Sequence, residues 1–296
     1  MTKAKILTGN PVKLSNLLIT IFMMCIAVIL LLPIFVVFTT AFKSDTEVAL
    51  AGFRWFPSEL NLENFRKAMS MGNWSRYFLN SIIVTSITVI GSLFFNSLAG
   101  YTFARLRFRG KQFLFILIMI GMMIPPQAII IPQFVMLRSV PLLGGNNLAG
   151  EGGVGLLNTY WALIIPFLSG SFGIFLCRQF YISFPTELDD AAKIDGCTPF
   201  QTYWKIYFPM STQIFATLCI LKTVATWNDF FYPLIMTQND KTRTIQLALQ
   251  LFKGSTATHW NWLMAGTVIT IIPVVLIFLF AQKYFVQSIA STGMKN

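Results

Sequence analysis

Residues 187–209 read ELDDAAKIDGCTPFQTYWKIYFP, a charged stretch inside an otherwise apolar chain. Pro185 stands just ahead of it, where a proline suits the opening of a helix. Glu187, Asp189 and Asp190 fill the first turns, where carboxylates complement the positive end of the helix dipole. Ala191, Ala192 and Ile194 give a small apolar face. Gly196 suits a helix end. Thr198 is placed to cap a second helix with Pro199 at its first position. That helix carries Tyr203, Ile206 and Tyr207 before Pro209. The stretch therefore reads as two short helices around a glycine turn, lying at a membrane surface and shaped to fit a groove on a partner protein. An ordinary amphipathic helix pair is the plainer alternative.

What surrounds the stretch makes it a membrane-surface object. The chain has 296 residues, of which 55% are hydrophobic and 11% charged. Soluble domains carry roughly a quarter charged residues, so the composition points to an integral membrane protein. Six long apolar runs lie at about 17–42, 77–104, 113–137, 156–178, 210–236 and 263–283. About 18 uncharged residues suffice to cross the hydrocarbon layer. Pro125, Pro126 and Pro132 interrupt the third run, and Lys222 and Asp229 fall inside the fifth. The first run is too long for the apolar part of a signal peptide and is read as a retained helix. The expected architecture is all-α, a single transmembrane domain over residues 1–296 with a two-helix cytoplasmic loop at 185–209.

Lys and Arg number 22 against 11 Asp and Glu, a net charge of +11. In this setting basic residues flank spans and hold them on the cytoplasmic side, so nucleic-acid binding is not expected. Six spans put both termini on one side. The basic residues Lys3, Lys5 and Lys13, Arg105, Arg107, Arg109 and Lys111, and Lys283 and Lys295 gather there with the 187–209 stretch, which assigns that side to the cytoplasm. Basic residues in the opposite loops make the bias modest. Among those outer loops, 141–155 (PLLGGNNLAGEGGVG) reads as a flexible surface loop. Leu62, Phe65, Ala68 and Met69 fall at helical spacing and predict a short surface helix.

No catalytic constellation emerges. Cys25, Cys177, Cys197 and Cys219 include no CxxC pair, and the chain has one histidine, His259, so neither a metal site nor a disulfide framework is implied. No phosphate-binding GxxxxGK[ST] occurs, so any ATP hydrolysis belongs to a partner. Lys222 lies near mid-bilayer, and a charge there must face protein or water rather than lipid. Asp229 follows two turns later, with Trp227 and Asn228 beside it. These four residues form either a structural polar cluster or part of a translocation path. A self-contained ion-driven carrier would ordinarily show several intramembrane ionisable groups, and Asp229 is the one acid well inside a span.

The stretch DDAAKIDGCTPFQTYWKIYFP resembles the coupling-loop motif of ABC importer permeases, known as the EAA loop. Asp190-Ala191-Ala192, Asp195-Gly196, Ile206 and Phe208-Pro209 occupy its positions. Asp190 stands where the family usually has Glu, with Glu187 close by, and Phe208 where it usually has Leu. The segments TTAFK (39–43), LENFRKAM (62–69), LNSIIVT (79–85), YTFARLRFRGK (101–111) and TWNDFFYPL (226–234) are similar to carbohydrate-uptake permeases of the maltose-permease type. The resemblance implies a type I ABC importer fold, a second permease subunit, a homodimeric cytoplasmic ATPase that binds the ATP, and an extracellular solute-binding protein. It implies carbohydrate import across a bacterial or archaeal cell membrane, with oligosaccharides as the main expectation. A glycerol-phosphate compound is the alternative cargo. It also implies that 187–209 is the joint to the ATPase and that the outer segment 239–262 reaches toward the solute-binding protein.

Overall fold

The structure, a computed structural model, describes residues 14–49, 54–254 and 258–293, with side chains in 15–49, 54–254 and 258–279. Lys3, Lys5, Lys13 and Lys295 lie outside the described residues, as do 255–257 in the outer segment 239–262. Among the described residues the elements are helical, joined by loops and one isolated antiparallel bridge between Lys253 and Thr258. The chain divides into two compact units. One holds residues up to Met69 together with Phe252–Ile269, and the other holds Ser70–Leu251 and Thr270 onward.

In the first unit, α1 (Leu14–Ala41) is followed by α2 (Asp45–Ala49) and α3 (Glu63–Ser70). Ser15–Ala41 spans 27 residues with a mean hydropathy of 3.2. At about 1.5 Å per residue it exceeds the roughly 30 Å of hydrocarbon to be crossed. Its last carbonyls lack intrahelical donors, as at any helix end. Asn64, 1% exposed, supplies one, donating to Ala41 O at 2.9 Å and Lys43 O at 2.8 Å. Asn261 Nδ2 donates in turn to Asn64 Oδ1 (3.2 Å) and to Asp45 Oδ1 (2.8 Å). The expected surface helix thus exists as α3, but Asn64 and Ala68 are its buried residues, and Leu62 precedes it in the open.

In the second unit, α4 (Trp74–Arg105) is one unbroken helix. The apolar run at 113–137 is two helices, α5 (Lys111–Met123) and α6 (Pro126–Arg138), bent by 107°. The cause is the Pro125-Pro126 pair. The residue before a proline is driven out of helical backbone, and Ile124 takes ψ 121°. The fourth run forms α7 (Tyr160–Ile164), a 3₁₀ turn (Ile165–Phe167) and α8 (Ser171–Ile182), bent by 41°. After α9 (Glu187–Ile194), α10 (Pro199–Thr202), a π-helical turn (Tyr203–Tyr207) and α11 (Phe208–Met210), the fifth run divides as well. It gives α12 (Thr212–Trp227) and α13 (Phe231–Met236), so 210–236 is not one continuous helix. The outer connection holds α14 (Ile245–Ala248), and α15 (Trp260–Gly293) closes the chain. Among the described residues three helices are long and apolar enough to cross a membrane, and up to six crossings result if each bent pair counts as one, the third pair being Pro199–Met210 with Thr212–Trp227, bent by 76°.

The core of this unit is α4 packed on α8 and α12. A Cβ at Gly100 would lie 2.4 Å from Cys177 Cβ, so the two backbones approach as only a small-residue contact allows. The loop 141–155, expected to be flexible, is a compact knot. Asn146 Nδ2 donates to Arg138 O (2.7 Å) and Val140 O (2.9 Å), and its Oδ1 accepts from Gly153 N at 2.8 Å. Gly155 has φ +58°, and a Cβ there would lie 2.3 Å from the carbonyl oxygens of Leu137 and Arg138. Its glycines serve close backbone contact, which composition alone cannot distinguish from flexibility.

Candidate functional site

The 187–209 stretch folds as its local chemistry suggests. The α9 helix ends in a two-bond closure: Gly196 N donates to Lys193 O (3.0 Å) and Cys197 N to Ala192 O (2.9 Å). Gly196 carries the required positive φ, +74°, and a Cβ there would meet nothing within 4 Å. The next helix opens with a reciprocal cap. Thr198 Oγ1 accepts from Gln201 N (3.3 Å) while Gln201 Oε1 accepts from Thr198 N (2.8 Å). Glu187, Asp190, Ala191, Asp195 and Pro209 are exposed, Asp190 pairing with Lys193 at 3.4 Å. Ala192 is 2% exposed and belongs to the packed side, whereas Ile194 is 87% exposed. Ile206 packs, half-buried, against the tyrosine cluster described next.

That cluster fixes the stretch to the long helices. Tyr101 of α4, Cys177 and Tyr181 of α8, Tyr203 and Tyr207 of the π-helical turn, and Ile214 and Leu218 of α12 form one buried core. Its hydroxyls are paired. Tyr203 OH meets Ser97 Oγ at 2.7 Å, and Tyr181 OH meets Ser211 Oγ at 2.7 Å, which itself donates to Tyr207 O at 2.6 Å. At the rim, Arg105 is the clamp. Its Nε stands 2.8 Å from Asp189 Oδ2 and 2.6 Å from Tyr207 OH, and its terminal nitrogens donate to Phe184 O (3.2 Å) and Pro185 O (2.6 Å). Tyr207 OH donates to Asp189 Oδ1 at 2.9 Å. Burial, with the Asp189 carboxylate beside it, pushes the Tyr207 phenol well above its ordinary value, so it keeps the proton it donates. Sequence reasoning missed this clamp. It read Arg105 as one of several cytoplasmic basic residues and Asp189 as a dipole partner.

The four candidate path residues separate into two groups. Lys222 and Asp229 line one cavity of about 150 Å³, with Val84, Phe167, Tyr232 and Thr244 among its other walls. They share this cavity without forming a direct ion pair. Trp227 is 4% exposed and donates from its indole to Thr270 O at 3.1 Å, a structural tie to α15. Asn228 ends α12 and accepts from Gln246 Nε2 at 3.0 Å. Tyr232 and Thr244 were not foreseen, since nothing in the sequence shows that their hydroxyls are buried.

Comparisons with known proteins agree with this architecture. Residues 96–291 match the family described as "Binding-protein-dependent transport system inner membrane component". The chain is 36% identical over 266 residues to the "Probable ABC transporter permease protein YurM" of Bacillus subtilis (strain 168), covering 89% of this chain and 83% of that one. It is 30% identical over 288 residues to the "Arabinooligosaccharides transport system permease protein AraQ" of the same organism, covering 94% and 95%. Among solved structures it superimposes with a TM-score of 0.76, at 22% identity, on a chain of a bacterial ABC transporter involved in the import of the acidic polysaccharide alginate. That match covers 93% of this chain and 97% of the other. The fold is therefore that of a type I ABC importer permease, membrane-embedded and without enzymatic activity of its own. The chain belongs to the family of binding-protein-dependent transport system inner membrane components.

Proposed function

We propose that the chain is the transmembrane permease subunit of an ATP-driven importer for oligosaccharides, and that Glu187–Pro209 is its joint to the ATPase. The chain acts as one permease domain that crosses the membrane six times, with both termini cytoplasmic. A second permease subunit completes the pathway, a homodimeric cytoplasmic ATPase supplies the ATP hydrolysis, and an extracellular solute-binding protein delivers the cargo. Relatives named for arabinooligosaccharides support a carbohydrate cargo.

One observation carries the coupling assignment. The 187–209 stretch leaves Ile194 (87%) and Phe200 (56%) exposed, while its Asp189, Tyr203 and Tyr207 are bonded to α4 and its tyrosines pack against α8 and α12. Exposed apolar groups on a segment so firmly held suit docking, and the bonded side transmits the partner's motion as a rigid body. The test is uptake into proteoliposomes holding the complete transporter, with arabinotriose, raffinose, maltotriose and sn-glycerol 3-phosphate as candidate cargoes. The expected result is ATP- and binding-protein-dependent uptake of at least one oligosaccharide. Uptake of sn-glycerol 3-phosphate alone would replace the cargo, and uptake without the ATPase would overturn the reading. Orientation is checked by labelling single cysteines, expected to be reached from inside at 109 and 195 and from outside at 59 and 148.

A further inference from the structure

The cavity beside Lys222 carries more than the permease assignment requires. Tyr232 and Thr244 are each 6% exposed and line it, and among the described residues no hydrogen-bond partner reaches either hydroxyl. Buried hydroxyls are nearly always paired, so two unpaired ones on residues that line one cavity mark a place that a polar guest completes. The walls are preorganised. Asn80 Nδ2 donates to Arg243 O (2.8 Å) and Ser81 Oγ accepts from Ile245 N (2.8 Å), which fixes Thr244 between them. Asp229 Oδ1 accepts from Tyr232 N at 3.2 Å, holding the carboxylate at the start of α13. The Lys222 ammonium lies 5.1 Å from the centre of the Phe167 ring, which packs edge-on to Tyr232 at 4.7 Å.

We propose, building on the oligosaccharide reading above, that this cavity is a subsite reading two neighbouring hydroxyls of one sugar unit in transit. One hydroxyl donates to Asp229 and accepts from Lys222, and the other exchanges hydrogen bonds with Tyr232 and Thr244. The rings of Phe167 and Tyr232 supply the apolar wall that a pyranose face requires. The volume of about 150 Å³ corresponds to roughly five waters, so it admits the hydroxyl-bearing edge of one ring and not a whole oligosaccharide. One cation and one anion share the wall, which favours a neutral polyhydroxylated cargo. A carboxylate or phosphate entering beside Lys222 also meets Asp229.

The experiment uses the oligosaccharide from the panel that the wild-type transporter carries. It counts sugars moved per ATP hydrolysed in proteoliposomes holding the full complex. Tyr232→Phe and Thr244→Val each remove one hydroxyl with little change of shape, and Thr244→Ser restores it. Losing one hydrogen bond should lower the ratio about fivefold in each of the two hydroxyl-deleting variants, while Thr244→Ser stays near wild type. An unchanged ratio in both hydroxyl-deleting variants overturns the subsite while leaving the carbohydrate reading intact. So does a fall in uptake matched by an equal fall in stimulated ATP hydrolysis, because the residues would then act in coupling and not in grip. If the wild-type transporter carries no oligosaccharide of the panel, the carbohydrate reading fails and the subsite fails with it.

Discussion

The tyrosine cluster beneath α9 and the cavity beside α12 contain the same kinds of groups, arranged to opposite ends. Around α9, the hydroxyls of Tyr181, Tyr203 and Tyr207 all have partners, and Arg105 closes the rim with four bonded contacts. Beside α12, the hydroxyls of Tyr232 and Thr244 have none among the described residues, and Lys222 and Asp229 share the space without joining. A fully paired polar network has one low-energy arrangement and moves as a body. A half-paired one waits for something to complete it. The first suits a part that transmits force, and the second suits a part that receives a guest.

Removing the clamp should break the comparison most severely. The Arg105 and Asp189 side chains are 7% and 21% exposed, so this pair is far from a surface salt bridge. Arg105→Leu leaves the Asp189 carboxylate with the Tyr207 hydroxyl but without its counter-charge, and loss of one member of such a pair costs about 3 kcal/mol. The expected outcome is a permease that still inserts but melts earlier and no longer links ATP hydrolysis to uptake. Thermal unfolding of the purified complex and the uptake-to-hydrolysis ratio check it. Arg105→Leu combined with Asp189→Leu should recover part of the lost stability, as expected when the damage is an orphaned charge.

The next effect concerns the exposed side of the same stretch. Ile194 is 87% exposed, so Ile194→Asp should leave the melting of the permease pair unchanged. If the residue is buried against the ATPase, the change removes about 2 kcal/mol of apolar contact. That corresponds to at least a tenfold loss of ATPase in co-purification. Equal recovery of the ATPase from both proteins would show that the docking surface lies elsewhere.

A smaller effect is expected at the turn. Gly196 has φ +74° with open space around it, so any penalty for a side chain there comes from the backbone alone. Gly196→Val should cost about 1–2 kcal/mol, and Gly196→Asn much less, since Asn tolerates the left-handed region. The coupling ratio should follow that order. If Val and Asn behave alike, backbone angle is not what position 196 supplies.

How far the sequence disclosed this contrast depends on distance along the chain. The glycine end of α9, the Thr198 cap and Pro199 at the first helical position are effects of adjacent residues, and they were readable. So were Pro125 and Pro126 as an interruption, though not the 107° bend they produce. Arg105 and Asp189 lie on different helices, and nothing local marks them as partners. Trp227 and Asp229 are two residues apart on one polar stretch, yet Trp227 ties α12 to α15 while Asp229 faces the cavity. Sequence grouped both as either a structural polar cluster or part of a path because they stand close together in the chain, and nearness does not show which side is already occupied. The glycines of 141–155 misled for a related reason: Asn146 organises the loop through three hydrogen bonds that composition does not encode.

The smallest expected effect tests the contrast most directly, because the chemical change is the same on both sides of it. Tyr203→Phe and Tyr232→Phe each delete one phenolic oxygen from a buried ring, the rings being 0% and 6% exposed. Tyr203 gives up its bond to Ser97, whose hydroxyl also donates to Phe94 O at 3.1 Å and so keeps one partner. The loss should therefore be near the ordinary net value of a hydrogen bond, about 1 kcal/mol. Tyr232 gives up an oxygen with no partner among the described residues, so its removal should be neutral to slightly stabilising. Measured by thermal unfolding without sugar, Tyr203→Phe should lower the melting temperature by a few degrees and Tyr232→Phe should leave it level or raise it. With the carried oligosaccharide present in excess, the order of the transport defects should reverse, since only Tyr232 would then lack a bond to the guest. Equal destabilisation by both substitutions would mean that the Tyr232 hydroxyl is already paired in the resting protein, and the distinction between a rigid joint and a waiting cavity would not hold.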